Sequence, residues 1–156
     1  MKKILMLCLG NICRSPTAEA ILKRKAKDLN LNIYVDSAGT AGYHIGEKSD
    51  SRSIHHAEKR GYEMIHLARQ LSTNDFIEFD YILAMDNSNL FNAKKILPDK
   101  SLEYKLKLIG HYYQSKNKQS IIEIPDPYHG GPNDFETVID LLENCIDGFI
   151  QSTLSR

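Results

Sequence analysis

Cysteine is scarce in this chain: 156 residues contain three, at positions 8, 13 and 145, an odd number without framework spacing. A disulfide-stapled fold is therefore not expected, and free thiols point to a reducing, cytoplasmic setting. Zinc fits poorly too, because four residues separate Cys8 from Cys13 and no matching Cys/His pair follows. Excess charge is also lacking. Twenty basic residues balance twenty acidic ones, so no overall field recruits nucleic acid or an anionic membrane, and any affinity for an anion must be local. No stretch approaches the roughly 18 apolar residues of a membrane span. Lys2 and Lys3 before "ILMLCLG" look like the front of a signal peptide, but the apolar run ends at Leu9 and Asn11 and Arg14 follow. Repeats, low-complexity tracts and linkers are missing as well. One domain over residues 1–156 is expected, long enough to close a substantial core.

What remains is an alternation of short apolar runs and longer helical patterns. "KILMLCL" (3–9) is continuously apolar, as a buried parallel strand tends to be. Ser15-Pro16 then starts a helix over "TAEAILKRKAKDL". "NIYVDSAG" (32–39) reads as a second strand, "SDSRSIHHAEKRG" (49–61) as a helix closed by Gly61, and "FDYILAMD" (79–86) as a third strand. A helix over "SNLFNAKKIL" stops before Pro98. "YKLKLIG" (104–110) alternates like a fourth strand, with a helical alternative. From Asp134 the apolar positions keep helical spacing to Ile150, which predicts a long amphipathic C-terminal helix. Such alternation predicts a three-layer α/β/α sandwich around a mainly parallel, four-stranded twisted sheet. Ligands in that fold sit beyond the carboxyl ends of the strands.

"CLGNICRSP" (8–16) lies at that end of the first strand. A loop between a strand and a helix N-terminus gathers backbone N–H groups into a small space, and the helix dipole adds to them. Gly10 lets the backbone turn, and Arg14 offers a planar fork for two phosphate oxygens. The same positive surroundings favour the thiolate form of a cysteine at the base. Cys8 is thus placed to attack phosphorus, with nucleophile and anion clamp in one loop. Far along the chain, "IPDPYHGGP" (124–132) holds three of the five prolines. Such a segment makes a rigid surface loop suited to carry Asp126 over a pocket. A carboxyl beside a phosphate dianion holds its proton more tightly, so a bell-shaped pH profile with a mildly acidic optimum is expected.

C-x5-R-S followed by "DPYHG" resembles the low-molecular-weight protein tyrosine phosphatase family, as do the blocks "DSAGTAGYHIG" (36–46), "HLARQL" (66–71) and "FDYILAMD". The resemblance spans nearly the whole chain. It implies a phosphotyrosine phosphatase I-like fold of flavodoxin-like topology. The activity it implies is hydrolysis of phosphotyrosine and aryl phosphates through a phosphocysteine on Cys8, with no cofactor or metal. Arg14 and the N–H groups of Leu9, Gly10, Asn11, Ile12, Cys13, Arg14 and Ser15 would hold the phosphate. Ser15 would stabilise the departing thiolate, and Asp126 would act as general acid and then base. Asn11, Ser37 and His66 match a hydrogen-bond network that fixes the loop, and Tyr43 and Tyr128 match pocket walls. Phosphotyrosine proteins are the implied partners, inorganic phosphate or vanadate the implied inhibitors, and a monomer the implied state. Many relatives have two consecutive aromatics after Asp-Pro. Here His129 takes the second place, so no role passes to it.

Plainer readings stand beside these. Cys8 could be a buried strand-end cysteine, and Cys13 either a redox partner of Cys8, as the family implies, or packing. Cys145 fits the core. His55 and His56 fit a solvated helix face, His66 a structural histidine, and Tyr43 and Tyr128 half-buried aromatics. Two other functions share the scaffold. Arsenate reduction would need extra cysteines near "YILAMDNSNLFNAKK", which has none. A non-catalytic phosphate-binding module would have no use for Asp126.

Overall fold

Strand β1 (Lys2–Cys8) is the axis around which the chain is arranged. Its side chains alternate between faces, and Ile4 to Leu7 are completely buried. Ile4, Met6 and Cys8 face one apolar cluster, while Leu5 and Leu7 face another. A strand buried on both sides needs a continuous apolar run, and truncating Ile4, Leu5, Met6 or Leu7 to alanine would cost about 2–5 kcal/mol. The computed structural model describes residues 1–116 and 120–154. The last two residues of the expected 1–156 domain lie outside that range.

The elements follow in the order β1, α1 (Arg14–Asp28), β2 (Ile33–Gly39), α2 (Ser51–Lys59), α3 (Asp75–Glu78), β3 (Tyr81–Ala84), α4 (Asn87–Lys94), β4 (Leu106–Leu108) and α5 (Pro132–Phe149). The sheet order is β2-β1-β3-β4, and every pairing is parallel. Helices α1 and α5 cover the face with Ile4 and Met6, and Val138, Leu142, Ile146 and Phe149 supply the apolar stripe of α5. Phe76 from α3 and Ala93 from α4 cover the other face. This is the three-layer sandwich that the sequence pattern predicts. Register aligns Cys8 with Gly39 and Leu7 with Ala84, so the end of β1 opens at the carboxyl edge of the sheet.

The differences from expectation are local. Helix α1 begins at Arg14 rather than at Ser15 or Pro16, with Cys13 at the cap position and no side-chain cap. Pro16 is tolerated because it falls in the first turn, where N–H groups lack helical partners. Helix α5 starts at Pro132, two residues early, where proline's fixed φ suits the first helical position. The fourth strand shrinks to three residues between two 3-10 turns. It pairs with β3 alone, and β3 itself has only four residues to offer. His56 is buried rather than solvated: its ring stacks on Phe135 of α5 and its Nδ1 is bonded to Glu136. Cys145 sits fully buried in the α1/α5 core.

Candidate active site

The chain leaves β1 at Cys8 and enters α1 at Arg14, and five residues turn between them. Close packing shapes that turn. A Cβ on Gly39 of the neighbouring strand would lie 2.6 Å from the Leu9 carbonyl oxygen and 3.1 Å from the Asn11 nitrogen, so only glycine lets β2 end against the loop. Thr40 and Ala41 then donate their N–H groups to the carbonyls of Cys8 and Leu9, at 2.9 and 3.0 Å. The left-handed residue of the turn is Asn11, with φ 59°. Gly10 was the residue expected to supply that freedom. Its lack of a side chain instead makes room for His44, whose Cδ2 would lie 3.0 Å from an added Cβ.

Asn11 is 1% exposed, and its amide organises the loop from within. Its Nδ2 donates to Ser15 Oγ at 2.7 Å and to Ser37 Oγ at 3.0 Å. Its Oδ1 receives the Arg69 N–H at 2.9 Å and lies 2.7 Å from His66 Nε2. Ser37 Oγ donates onward to Glu19 at 2.6 Å, Lys23 reaches Glu19 at 2.6 Å, and His66 Nδ1 lies 3.1 Å from it. Burial alone would push the Glu19 carboxyl up, but the bonds from His66, Lys23 and Ser37 outweigh it and hold it below the usual carboxylate range. Glu19, Asp36 and His66 bring ligand-type atoms within 4.8 Å of one another. Lys23 lies 2.6 Å from Glu19 and Arg69 lies 3.0 Å from Asp36, so each of the two carboxylates already faces a cation.

At the mouth of the turn is a cleft of about 280 Å³. Cys8 lies at its floor, 3% exposed; its Sγ accepts the Asn11 N–H at 3.3 Å and sits 2.9 Å from Ser15 Oγ. Arg14, equally buried, reaches in from the first turn of α1. That turn carries no acidic residue, so no side chain in it offsets the positive end of the helix. One amino group of Arg14, Nη1, is tied from behind to Asp86 Oδ2 at 2.6 Å and to the Ile124 carbonyl at 2.9 Å. The other, Nη2, lies 3.8 Å from Asp126 Oδ2. The Tyr128 N–H fixes the second Asp126 oxygen, Oδ1, at 3.1 Å. Leu9, Ile12, Tyr43 and Tyr128 form apolar and aromatic walls, with His44 and His129 beside them.

Cys13 lines the same cleft as a different kind of thiol. Burial pushes it up to about 12, and although a hydrogen bond with Ser53 works the other way, the nearby charges of Asp50, Cys8 and Asp126 add to the rise. It is a neutral wall at ordinary pH.

Of the residues singled out in the sequence, Cys8, Leu9, Gly10, Ile12, Cys13, Arg14, Tyr43, Asp126 and Tyr128 line the cleft. Asn11, Ser15, Ser37 and His66 lie beneath it as supports. Sequence reasoning passed over Asp86, Glu19, His44 and the carbonyl of Ile124. Asp86 had left a signal, because it ends the "FDYILAMD" block at the carboxyl edge of the third strand.

The chain is similar to known proteins along nearly its whole length. The sequence profile described as "Low molecular weight phosphotyrosine protein phosphatase" matches residues 3–156. The human low molecular weight phosphotyrosine protein phosphatase is 44% identical over 153 residues, covering 96% of this chain and 94% of its own. A crystal structure of protein tyrosine phosphatase from Entamoeba histolytica, with Hepes in the active site, superposes with TM-score 0.90 at 38% identity, covering 97% of this chain and 96% of the other. A Drosophila arginine phosphatase superposes with TM-score 0.88 at 36% identity, covering 97% of both chains.

Proposed function

The chain belongs to the low molecular weight phosphotyrosine protein phosphatase family, and from that premise we propose how its residues divide the chemistry. A phosphotyrosine side chain enters between Tyr128 and the apolar wall of Leu9 and Ile12, with its phosphate on the Arg14 edge that carries Nε and Nη2. The Cys8 thiolate attacks phosphorus, and the bond to the tyrosyl oxygen breaks. Asp126 gives its proton to that oxygen. Oδ1 is occupied by the Tyr128 N–H, so the proton is carried on Oδ2, the oxygen turned toward Arg14. A water then attacks the phosphocysteine, passes a proton to Asp126, and releases phosphate and the thiolate, which the Ser15 hydroxyl stabilises. The observation that carries this reading is the convergence of Cys8, Arg14 and Asp126 on one cleft.

The substrate class follows from the walls. A phosphoarginine would bring a cationic guanidinium into a cleft whose described lining has a single carboxylate, Asp126. A neutral aromatic ring suits the same walls better. Metal independence follows from the division of labour, because sulfur supplies the nucleophile and Arg14 with the loop amides meets the phosphate charge. One chain supplies nucleophile, clamp and acid, so we propose a monomer acting on phosphotyrosine proteins, inhibited by phosphate and vanadate. No helix among the described residues is long and apolar enough to cross a membrane. The thiols of Cys8, Cys13 and Cys145 are all free, which favours the cytoplasm as the working compartment.

The test is hydrolysis of p-nitrophenyl phosphate, phosphotyrosine and phosphoarginine in EDTA, beside Cys8→Ser. Turnover of the two aryl phosphates should survive chelation and be blocked by vanadate. In Cys8→Ser it should fall on the order of 10⁴-fold or more. Loss of activity in EDTA, or faster cleavage of phosphoarginine than of phosphotyrosine, would overturn the reading.

A further inference from the structure

The first turn of α2 touches both halves of the cleft. Its cap residue, Asp50, donates its N–H to the Ile12 carbonyl of the cradle loop at 2.8 Å. The Asp50 carboxylate accepts the Arg52 N–H at 2.8 Å, Arg52 Nε at 3.1 Å and Arg52 Nη2 at 2.9 Å. Arg52 Nη2 also donates to the Tyr128 carbonyl at 3.0 Å, across 76 residues of sequence. The guanidinium carbon sits 4.7 Å from the Phe135 ring centroid and 5.5 Å from that of Tyr128. An exposed ion pair between residues 50 and 52 alone would do little for stability. Here the same guanidinium lies close to two rings and bonds to a loop far away in sequence.

We propose that Arg52 is a positioning residue for the general acid. The path is short: Arg52 holds the Tyr128 carbonyl, and the Tyr128 N–H holds Asp126 Oδ1. Phe135 in α5 is a buried backstop, and Asp50 ties the arrangement to the cradle. Arg52 thus sets the distance between the acid loop and the phosphate, with no contact to substrate of its own. Lysine can substitute only in part, because a compact ammonium keeps the charge but lacks the planar fork that bonds Asp50 and Tyr128 together. The inference rests on the reading of Asp126 as the acid.

Leaving-group dependence exposes such a role. Phenolate is a strong base and needs the proton from Asp126 to depart, whereas nitrophenolate needs it far less. Arg52→Ala should lower kcat/KM for phenyl phosphate about tenfold, in keeping with the sensitivity of catalysis to sub-ångström displacement. For p-nitrophenyl phosphate the loss should stay within about threefold, and the Kd of vanadate, which reports the cradle, within about twofold. Arg52→Lys should recover only part of the phenyl phosphate loss. Combined with Asp126→Asn, Arg52→Ala should add no further loss on phenyl phosphate, because both act through one group. Equal losses on the two substrates, a parallel weakening of vanadate, or full additivity in the double variant would overturn the proposal. If Asp126→Asn itself shows no bias between the substrates, the acid assignment fails first, and the role of Arg52 falls with it.

Discussion

The two sides of the cleft are built differently. The cradle, residues 8–15, is buried at Cys8, Asn11, Arg14 and Ser15, and its side chains are bonded to β2, to the segment after α2 and to the turn before α4. The acid loop around Asp126 is exposed: Asp126 keeps 47% of its side-chain surface and Tyr128 is 40% exposed. Among the described residues it is fixed chiefly by the turn from Tyr128 to Asp126, the Gly130 N–H on the Pro127 carbonyl and the grip of Arg52. The difference matches what each side must recognise. A phosphate is the same on every substrate, so its receptor can be rigid and preorganised. The leaving group and the peptide around it vary, and an exposed loop can meet that variation.

Substitutions at the cradle should therefore injure every substrate and vanadate alike, unlike those at the acid loop. Among the residues that support the cradle without touching substrate, the largest effect is expected at Gly39. A Cβ there 2.6 Å from the Leu9 oxygen must displace the loop, so Gly39→Ala should lower kcat/KM about a hundredfold on both phenyl and p-nitrophenyl phosphate. A loss confined to phenyl phosphate would show that the cradle is less rigid than its packing implies. Next comes Asp86→Asn. Asparagine still caps α4 well, so the change isolates the charge behind Arg14; about a tenfold loss in kcat/KM is expected, with weaker vanadate binding. Unchanged vanadate affinity would mean that Arg14 is held by the Ile124 carbonyl alone.

The smallest effect on activity belongs to Glu19→Gln, which should be read as stability against pH. The folded chain holds the Glu19 carboxyl below its ordinary value. Its contribution is therefore complete above the unfolded carboxylate range and fades as pH falls through the lower folded value. By urea unfolding, the variant should be less stable than the parent by about 1–3 kcal/mol at pH 7. The gap should close below roughly pH 4. A gap that is constant with pH would remove Glu19 as the charged support of the network.

Nucleophile and clamp were legible because the chemistry is contiguous: a strand end, a tight turn and a helix start fit in eight residues. Asp126 was legible because prolines flank it on both sides. Residues that hold these groups were not, because they arrive from elsewhere in the chain. Asp86 reaches Arg14 across 72 residues, and Arg52 reaches Tyr128 across 76. An aspartate at a strand end or an arginine on a charged helix has no local pattern that names its partner. The same limit explains His56, whose helix reads as a charged face until α5 brings Phe135 and Glu136 against it. At the fold level the parallel core strands stood out by continuous apolarity, whereas β4, an edge strand, differs little in pattern from the 3-10 turns on either side of it.

Asp86 does two things at once. Its Oδ1 accepts the Asn89 N–H at 2.8 Å and caps α4, while its Oδ2 carries Arg14. Fraying of that eight-residue helix would loosen the carboxylate and let the guanidinium swing from its aim, with the sheet still intact. Warming should then switch the enzyme off through one small helix at its edge before the body of the molecule comes apart.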